Sequence, residues 1–402
     1  MDIKIREVTH LQDFIEVILQ SKNRMLGRNI YYRGESTYFE SRMPSFYRDT
    51  FLIDNTERYY RTLMNEMGWE DYSDNVTLVR RMAQLQHYGA KTRILDVTSN
   101  PLVALYFAVE NATLEDEHNG NQDERQAGYI YFYSEKPEEE KFDTGHTVAI
   151  KTAINLMSVE KLDVFCNLMS LLYNIYQKNG LMYLQFTTED WLKELNESFK
   201  NTDRFAWEID IIDDSLLSVK CDMNGDSLER NFSLGAKQRN YLEEYRIKSS
   251  EVDNESQGLM CYFVEQVIND FLEALNQCAK TKERLIYPMA IFLDLIKTHV
   301  VLPSKNTDRL KQQQGVFIYP GVHESKILKS NIKIISNYID KKAITLTDQK
   351  GEISKIMISP QNKFRIKKEL ALLGITSGFI YPDLQHLADS VLEKIKDEIS
   401  TN

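Results

Sequence analysis

Cysteine is scarce in this sequence, and the few copies are poorly placed for chemistry. Cys166, Cys221, Cys261 and Cys278 form no CxxC pair and have no histidine at ligand spacing, which argues against a zinc or iron–sulfur site. Buried free thiols in a reducing compartment are the expectation. No apolar run is long enough to span a bilayer, and the opening MDIKIREVTH lacks the apolar core of an export signal. A cytoplasmic chain with no membrane partner is therefore expected. A basic balance is missing as well: 49 Lys and Arg stand against 60 Asp and Glu, a net charge of -11, which argues against broad electrostatic binding to nucleic acid. There is no internal repeat and no low-complexity tract. What is present is enough apolar material, 42% of 402 residues, to exclude a disordered chain and to fill two or three domains.

Two stretches are locally basic, one with Arg80, Arg81, Lys91 and Arg93 and one with Lys363, Arg365, Lys367 and Lys368. Both read as solvated helix faces. Hydrophobic periodicity predicts helices over about His10–Lys22, Thr56–Met67 and Asn75–Tyr88, the last stopped by Gly89. NIYYR at Asn29–Arg33 and TRILDV read as strands. Asn100 as cap and Pro101 as first helical residue mark a helix start. The helix that follows, PLVALYFAVENA, is apolar nearly all round and should be central. Leu114–Gln126 is polar and acidic, an exposed loop, and GYIYFY at Gly128–Tyr133 is a strand.

The character changes near Ile150. Helical patterns cover about Val159–Gln177, Glu189–Phe199, Leu259–Lys282 and Arg284–Lys297, with a charged, irregular stretch between Asp203 and Asn254. Strands return with HVVLP, with GVFIYP at Gly315–Pro320, and near Ile332–Tyr338 and Ile353–Ile358. Two helices close the chain, about Gln361–Leu373 and Asp383–Ile399. The expected fold class is α+β: a mixed or antiparallel sheet core with flanking helices, interrupted by a large helical insertion. Residues 1–149 and 298–402 would be the two halves of the sheet domain, and 150–297 the inserted lobe.

Four segments could carry chemistry. Tyr32-Arg33-Gly34-Glu35 places a guanidinium at a strand end, beside a glycine that lets a ligand approach the backbone. Alone it reads as an Arg33–Glu35 ion pair. Gln86-His87-Tyr88-Gly89 and Asp96-Val97-Thr98-Ser99-Asn100 cluster polar groups between a helix end and a helix start. The hydroxyls of Thr98 and Ser99 could hold an anion or a ribose, and His87 could donate to a ligand or act as a base. The structural alternative is that Asp96 and Asn100 cap the turn. Arg309 with Gln312-Gln313-Gln314-Gly315-Val316-Phe317 offers amides able to read a carboxamide or a sugar hydroxyl, or simply a helix end running into a strand. GITSGFIYPDL reads structurally, with Asp383 capping the last helix.

In this order the segments resemble the FRG-domain family, named for a Phe-Arg-Gly that stands here as Tyr32-Arg33-Gly34. The likeness is strongest in QHYGAKTRILDVTSNPLVALYFA and returns in RLKQQQGVFIYP and GFIYPDL. Val97 stands where the family often has Trp, which reshapes the pocket. The resemblance implies a distant relationship to ADP-ribosyltransferases, including phage-defence toxins that modify RNA, with NAD as the substrate that supplies ADP-ribose. On that reading Arg33 binds the diphosphate or ribose and the Gly34 backbone pairs with the carboxamide. Thr98 and Ser99 support the ribose, and Tyr32, Tyr88 or Phe317 stacks on nicotinamide. Asp96, Asn100 and Gln313 complete the binding set. Catalysis would fall to Arg33, His87 and Ser99 with Gln314 as a positioning group, the carboxylate coming from Glu35 or Asp96. The acceptor would be RNA ahead of protein, and a neutralising antitoxin would be a partner. No metal is expected, and a nuclease is disfavoured because no Asp/Glu cluster supports one. The alternative is a non-catalytic module that binds a nucleotide or nucleic acid. The transferase reading requires Arg33, His87, Ser99 and Gln314 to line one cleft.

Overall fold

The computed structural model describes residues 4–22, 27–68, 78–87, 89–113, 123–177, 181–200, 205–223, 225–249, 255–322 and 324–400. Its centre is an eight-stranded sheet ordered β1-β13-β4-β2-β3-β10-β9-β5. These strands are β1 (Ile5–Glu7), β2 (Asn29–Glu35), β3 (Leu95–Thr98), β4 (Gly128–Glu135), β5 (Lys141–Phe142), β9 (His299–Leu302), β10 (Gly315–Tyr319) and β13 (Lys355–Ile358). The pairs β1–β13 and β5–β9 are parallel and the others antiparallel. Strands from both ends of the chain thus share one sheet, in an α+β fold.

Side-chain alternation explains why the GYIYFY segment is apolar throughout. Every residue of β4 is buried. Tyr129, Tyr131 and Tyr133 enter one core, while Ile130 and Phe132 enter another on the opposite face. The second core lies under the helices Leu11–Lys22, Pro101–Val109 and Pro360–Leu372. Leu102 N donates to the Asn100 side chain (3.0 Å), so the Pro101–Val109 helix starts where its cap and proline predict. Its all-round apolar character follows from its central position: Val103, Ala104, Leu105, Ala108 and Val109 are fully enclosed. Two glycines let it sit against the sheet. A Cβ on Gly34 would lie 1.8 Å from the Ala104 carbonyl oxygen, and one on Gly128 would lie 2.1 Å from that of Ala108.

The chain leaves the sheet after edge strand β5 and returns in β9, its parallel neighbour (Lys141↔Val301). The intervening helices, among them His146–Ala153, Val159–Tyr176, Glu255–Ala279 and Pro288–Ile296, share the first core with the sheet. This region is less purely helical than its sequence suggests. The stretch expected to be irregular, Asp203–Asn254, contains a three-stranded antiparallel meander of β6 (Ala206–Asp213), β7 (Leu216–Met223) and β8 (Asp226–Ser233), followed by the helix Ala236–Ser249. Charged residues on the outer face hide the period-two pattern that buries Leu217, Val219 and Cys221.

A second correction concerns Ile332–Tyr338, expected as a strand. It lies in the helix Lys333–Asp340, where Ile335 and Ile339 are buried one turn apart and Lys333, Asn337 and Asp340 are exposed. The β-branched run suggested a strand, but helical spacing decides which side chains reach the core. The remaining strands, β11 (Leu346–Asp348) and β12 (Gly351–Ile353), form a small hairpin. Much of the expected loop 114–126 lies outside the described residues.

The basic stretches are not simply solvated faces. Arg93 is buried and donates to Asn155, Tyr47 and Thr56. Lys363 is buried and donates to the carbonyls of Ser36 and Gln126. Arg81 is also buried. Cys166, Cys221 and Cys278 are buried free thiols, and Cys261 is half-buried. Among the described residues there is no group of three or more metal-ligating side chains, and no helix long and apolar enough to cross a membrane.

Candidate functional site

β2 pairs with β4 along its whole length but meets β3 at a single position, Tyr32↔Thr98. The two strands diverge from there, and a cavity of about 240 Å³ opens between them. Its lining comes from five stretches of sequence. Tyr32, Arg33 and Gly34 come from β2, and Asp96, Val97 and Thr98 from β3. Gln86 and Phe107 reach in from neighbouring helices, and Arg309, Gln313 and Phe317 come from the Asp308–Gln313 helix and β10.

Arg33 spans the divergence. Its Nε donates to Glu35 Oε1 (2.7 Å) and its Nη1 to the Asp96 carbonyl (2.8 Å). Glu35 lies behind it, 3% exposed, and its Oε2 has no hydrogen-bond partner among the described residues. Asp96 lines the open cavity as an exposed residue, its carboxylate held by the Gln86 amide. Desolvation raises its carboxyl above the ordinary range, against the pull of Arg33, of the Gln86 amide and of the Arg309 charge. Gln86 is oriented from behind: its Oε1 accepts from Thr92 Oγ1 (2.8 Å), which directs its NH₂ group onto Asp96. Aromatic walls are supplied by Tyr32, Phe107 and Phe317.

Residues 28–117 match the family model of the FRG domain. The chain carries an FRG domain. Comparison with curated proteins and with solved structures finds no match. The matched segment supplies Tyr32, Arg33, Gly34, Gln86, Asp96, Val97, Thr98 and Phe107. The cleft is completed from about two hundred residues further on by Arg309, Gln313 and Phe317, which antiparallel pairing of β10 with β3 brings alongside (Phe317↔Asp96).

The FRG cleft therefore gathers Tyr32, Arg33, Gly34, Asp96, Thr98, Gln313 and Phe317 from the residues singled out in the sequence. Others fall elsewhere. Ser99 is exposed and its Oγ donates to the Gln314 carbonyl (3.4 Å). Gln314 caps the Asp308–Gln313 helix in a left-handed conformation (φ 46°). The two touch each other and are not among the residues that line the cavity, while Arg33 is. Asn100 serves as helix cap, and Glu35 is buried behind Arg33. His87 ends the Leu78–His87 helix with its side chain outside the described residues, and Tyr88 lies outside them altogether. Gly34 borders the cleft with its backbone, but the Ala104 carbonyl already occupies the space of its missing side chain. Sequence reasoning assigned no role to Gln86, Phe107 or Arg309 in the cleft. Gln86 and Arg309 stood inside the singled-out motifs. Phe107 gave no local signal, because it sits in a helix apolar on every side.

Proposed function

We propose that the FRG cleft binds NAD and transfers its ADP-ribose to a macromolecule, RNA ahead of protein. The observation that carries this reading is the set of groups that described residues place around one cavity: two guanidiniums, one carboxylate, two amides and three aromatic rings. Rings can flank a planar heterocycle, amides can read a carboxamide, and guanidiniums suit phosphate. In the transfer, the bond between nicotinamide and ribose C1′ breaks and neutral nicotinamide leaves with the bonding pair. An acceptor nucleophile then bonds to C1′ and gives up its proton. On this reading Asp96 accepts a hydrogen bond from a ribose hydroxyl and stabilises the developing oxocarbenium charge. The family resemblance adds the biological setting, a cytoplasmic toxin of anti-phage defence held in check by an antitoxin.

One observation favours a second reading, a module that binds a nucleotide without turning it over. The cavity is smaller than the roughly 300–1,000 Å³ of most ligand pockets, so it encloses part of a dinucleotide at most. The deciding experiment incubates the full chain with NAD labelled in the adenylate and with total RNA or total protein, beside Asp96→Asn. Label in the RNA fraction, lost in the variant, is expected. Binding of NAD with no label in either fraction replaces the transferase with the binding module.

A further inference from the structure

The two guanidiniums that border the cleft differ in how much of their bonding is already committed. Arg33 is tied on two sides, to Glu35 and to the Asp96 carbonyl. Arg309 makes no hydrogen bond and no ion pair among the described residues, and its Nε is buried without a partner. Its guanidinium is nevertheless held in place, with Cζ 4.7 Å from the centre of the Tyr381 ring. Tyr381 is itself anchored: its hydroxyl donates to Glu110, and its ring packs edge-on to Phe107 (6.3 Å) and stacks on His386 (4.5 Å). The segment that carries Tyr381 is fastened to the cleft wall by Gln313, whose Nε2 donates to the Ile380 carbonyl (3.1 Å).

Such an arrangement presents an oriented fork of donors that no described residue satisfies. A guanidinium stacked on an aromatic ring keeps its in-plane N–H groups free, and those N–H groups match the spacing of phosphate oxygens. Asp96 and Asp383 feel the charge of Arg309, but neither closes to an ion pair with it. We infer that the ligand of the FRG cleft carries a phosphate group read by Arg309, while Arg33 acts as a strut that positions the cleft wall. This rests on the nucleotide reading and narrows it: nucleosides and free bases are poor ligands, and nucleoside diphosphates are good ones.

Calorimetric titration of the full chain with adenosine, ADP, ADP-ribose, NAD and inorganic pyrophosphate tests this, using the wild type, Arg309→Gln and Arg309→Lys. The wild type should bind ADP tighter than adenosine by on the order of tenfold to a hundredfold, the range of hydrogen bonds to charged groups. Arg309→Gln should abolish that preference by weakening ADP far more than adenosine, and Arg309→Lys should keep part of it. Pyrophosphate should bind more weakly than ADP, because it lacks the base that the rings hold. No preference for ADP over adenosine, an equal loss for both ligands in Arg309→Gln, or no nucleotide binding at all overturns the assignment. Should Arg309→Gln misfold, an undiminished ADP preference in Arg309→Lys overturns it as well. ADP binding through Arg309 without ADP-ribose transfer would leave this inference standing and remove the transferase.

Discussion

Arg33 was the most conspicuous residue of the sequence, and its environment changes how its substitution should be read. Removing the guanidinium would strand the enclosed carboxylate of Glu35. Loss of one partner of a buried pair costs roughly 3–5 kcal/mol, so Arg33→Ala should lower the urea midpoint markedly, and Glu35→Gln in that background should restore part of the loss. Inactivity of Arg33→Ala is therefore weak support for catalysis. Asp96→Asn is the cleaner probe: it should leave the unfolding midpoint within about 1 kcal/mol of wild type, as for most partly exposed sites, and abolish transfer. The pH profile of the wild type supplies a second check. Only ionised Asp96 stabilises the oxocarbenium charge, and desolvation raises its carboxyl. The acid limb of transfer should thus fall above the ordinary Asp value of about 3.9. A limb at or below that value would remove Asp96 from the mechanism. The sequence marked Arg33 and Asp96 as polar residues in telling places. It could not say that Arg33 would be saturated, because its partners are a neighbour two residues on and a carbonyl 63 residues away.

Among the elements, two glycines of different kinds should respond differently to substitution. Gly34 permits close approach of strand and helix, so Gly34→Ala must push back the Ala104 carbonyl, 1.8 Å from the new Cβ. The expected loss is at the upper end of overpacking effects, about 3 kcal/mol. Gly89 has φ +85° and open space around it, so Gly89→Ala meets only backbone strain, about 1 kcal/mol. Denaturant midpoints of the two variants give the comparison, and equal losses would contradict this account. Helix starts, caps and the position of strand β4 were legible in the sequence. The meander β6–β8 and the helix Lys333–Asp340 were not, since charge on an outer face and β-branched side chains pull local propensity away from the element that buries the most apolar surface.

At the scale of the whole molecule, the inserted helices are joined to the sheet through a buried lysine. Lys151 is 2% exposed and its Nζ donates to the carbonyls of Leu295 and Pro320, at the close of the Pro288–Ile296 helix and after β10. Burial lowers its pKa from 10.5 to about 7. His299, on β9 beside this junction, is pushed by burial to about 3. Both groups resist protonation in the folded state more than in the unfolded chain, so the unfolded state binds more protons between each pair of values. Stability should rise with pH from about 3 to 6.5 through His299, and again from about 7 to 10.5 through Lys151. Lys151→Met should flatten the second rise and also shrink the first, because the Lys151 charge helps burial to hold His299 low, as read by urea unfolding across that range. An unchanged alkaline slope would mean that Lys151 keeps its charge at no penalty.

The sequence by itself determined what is local. It specified the α+β class, the caps and most helix positions, the position of β4, and the polar segments from which the cleft is drawn. Those properties depend on spacing of 3.6 or 2 residues and on the chemistry of single turns. Only the tertiary structure decided which polar groups meet and which remain unsatisfied. It paired Ser99 with Gln314 away from the cavity, placed Glu35 behind Arg33, and left Arg309 facing the cleft on the ring of Tyr381. The reason is one of range: a residue's bonding state is set by partners as far as 215 positions away, as for Ser99 and Gln314, and only the register of the strands brings them together.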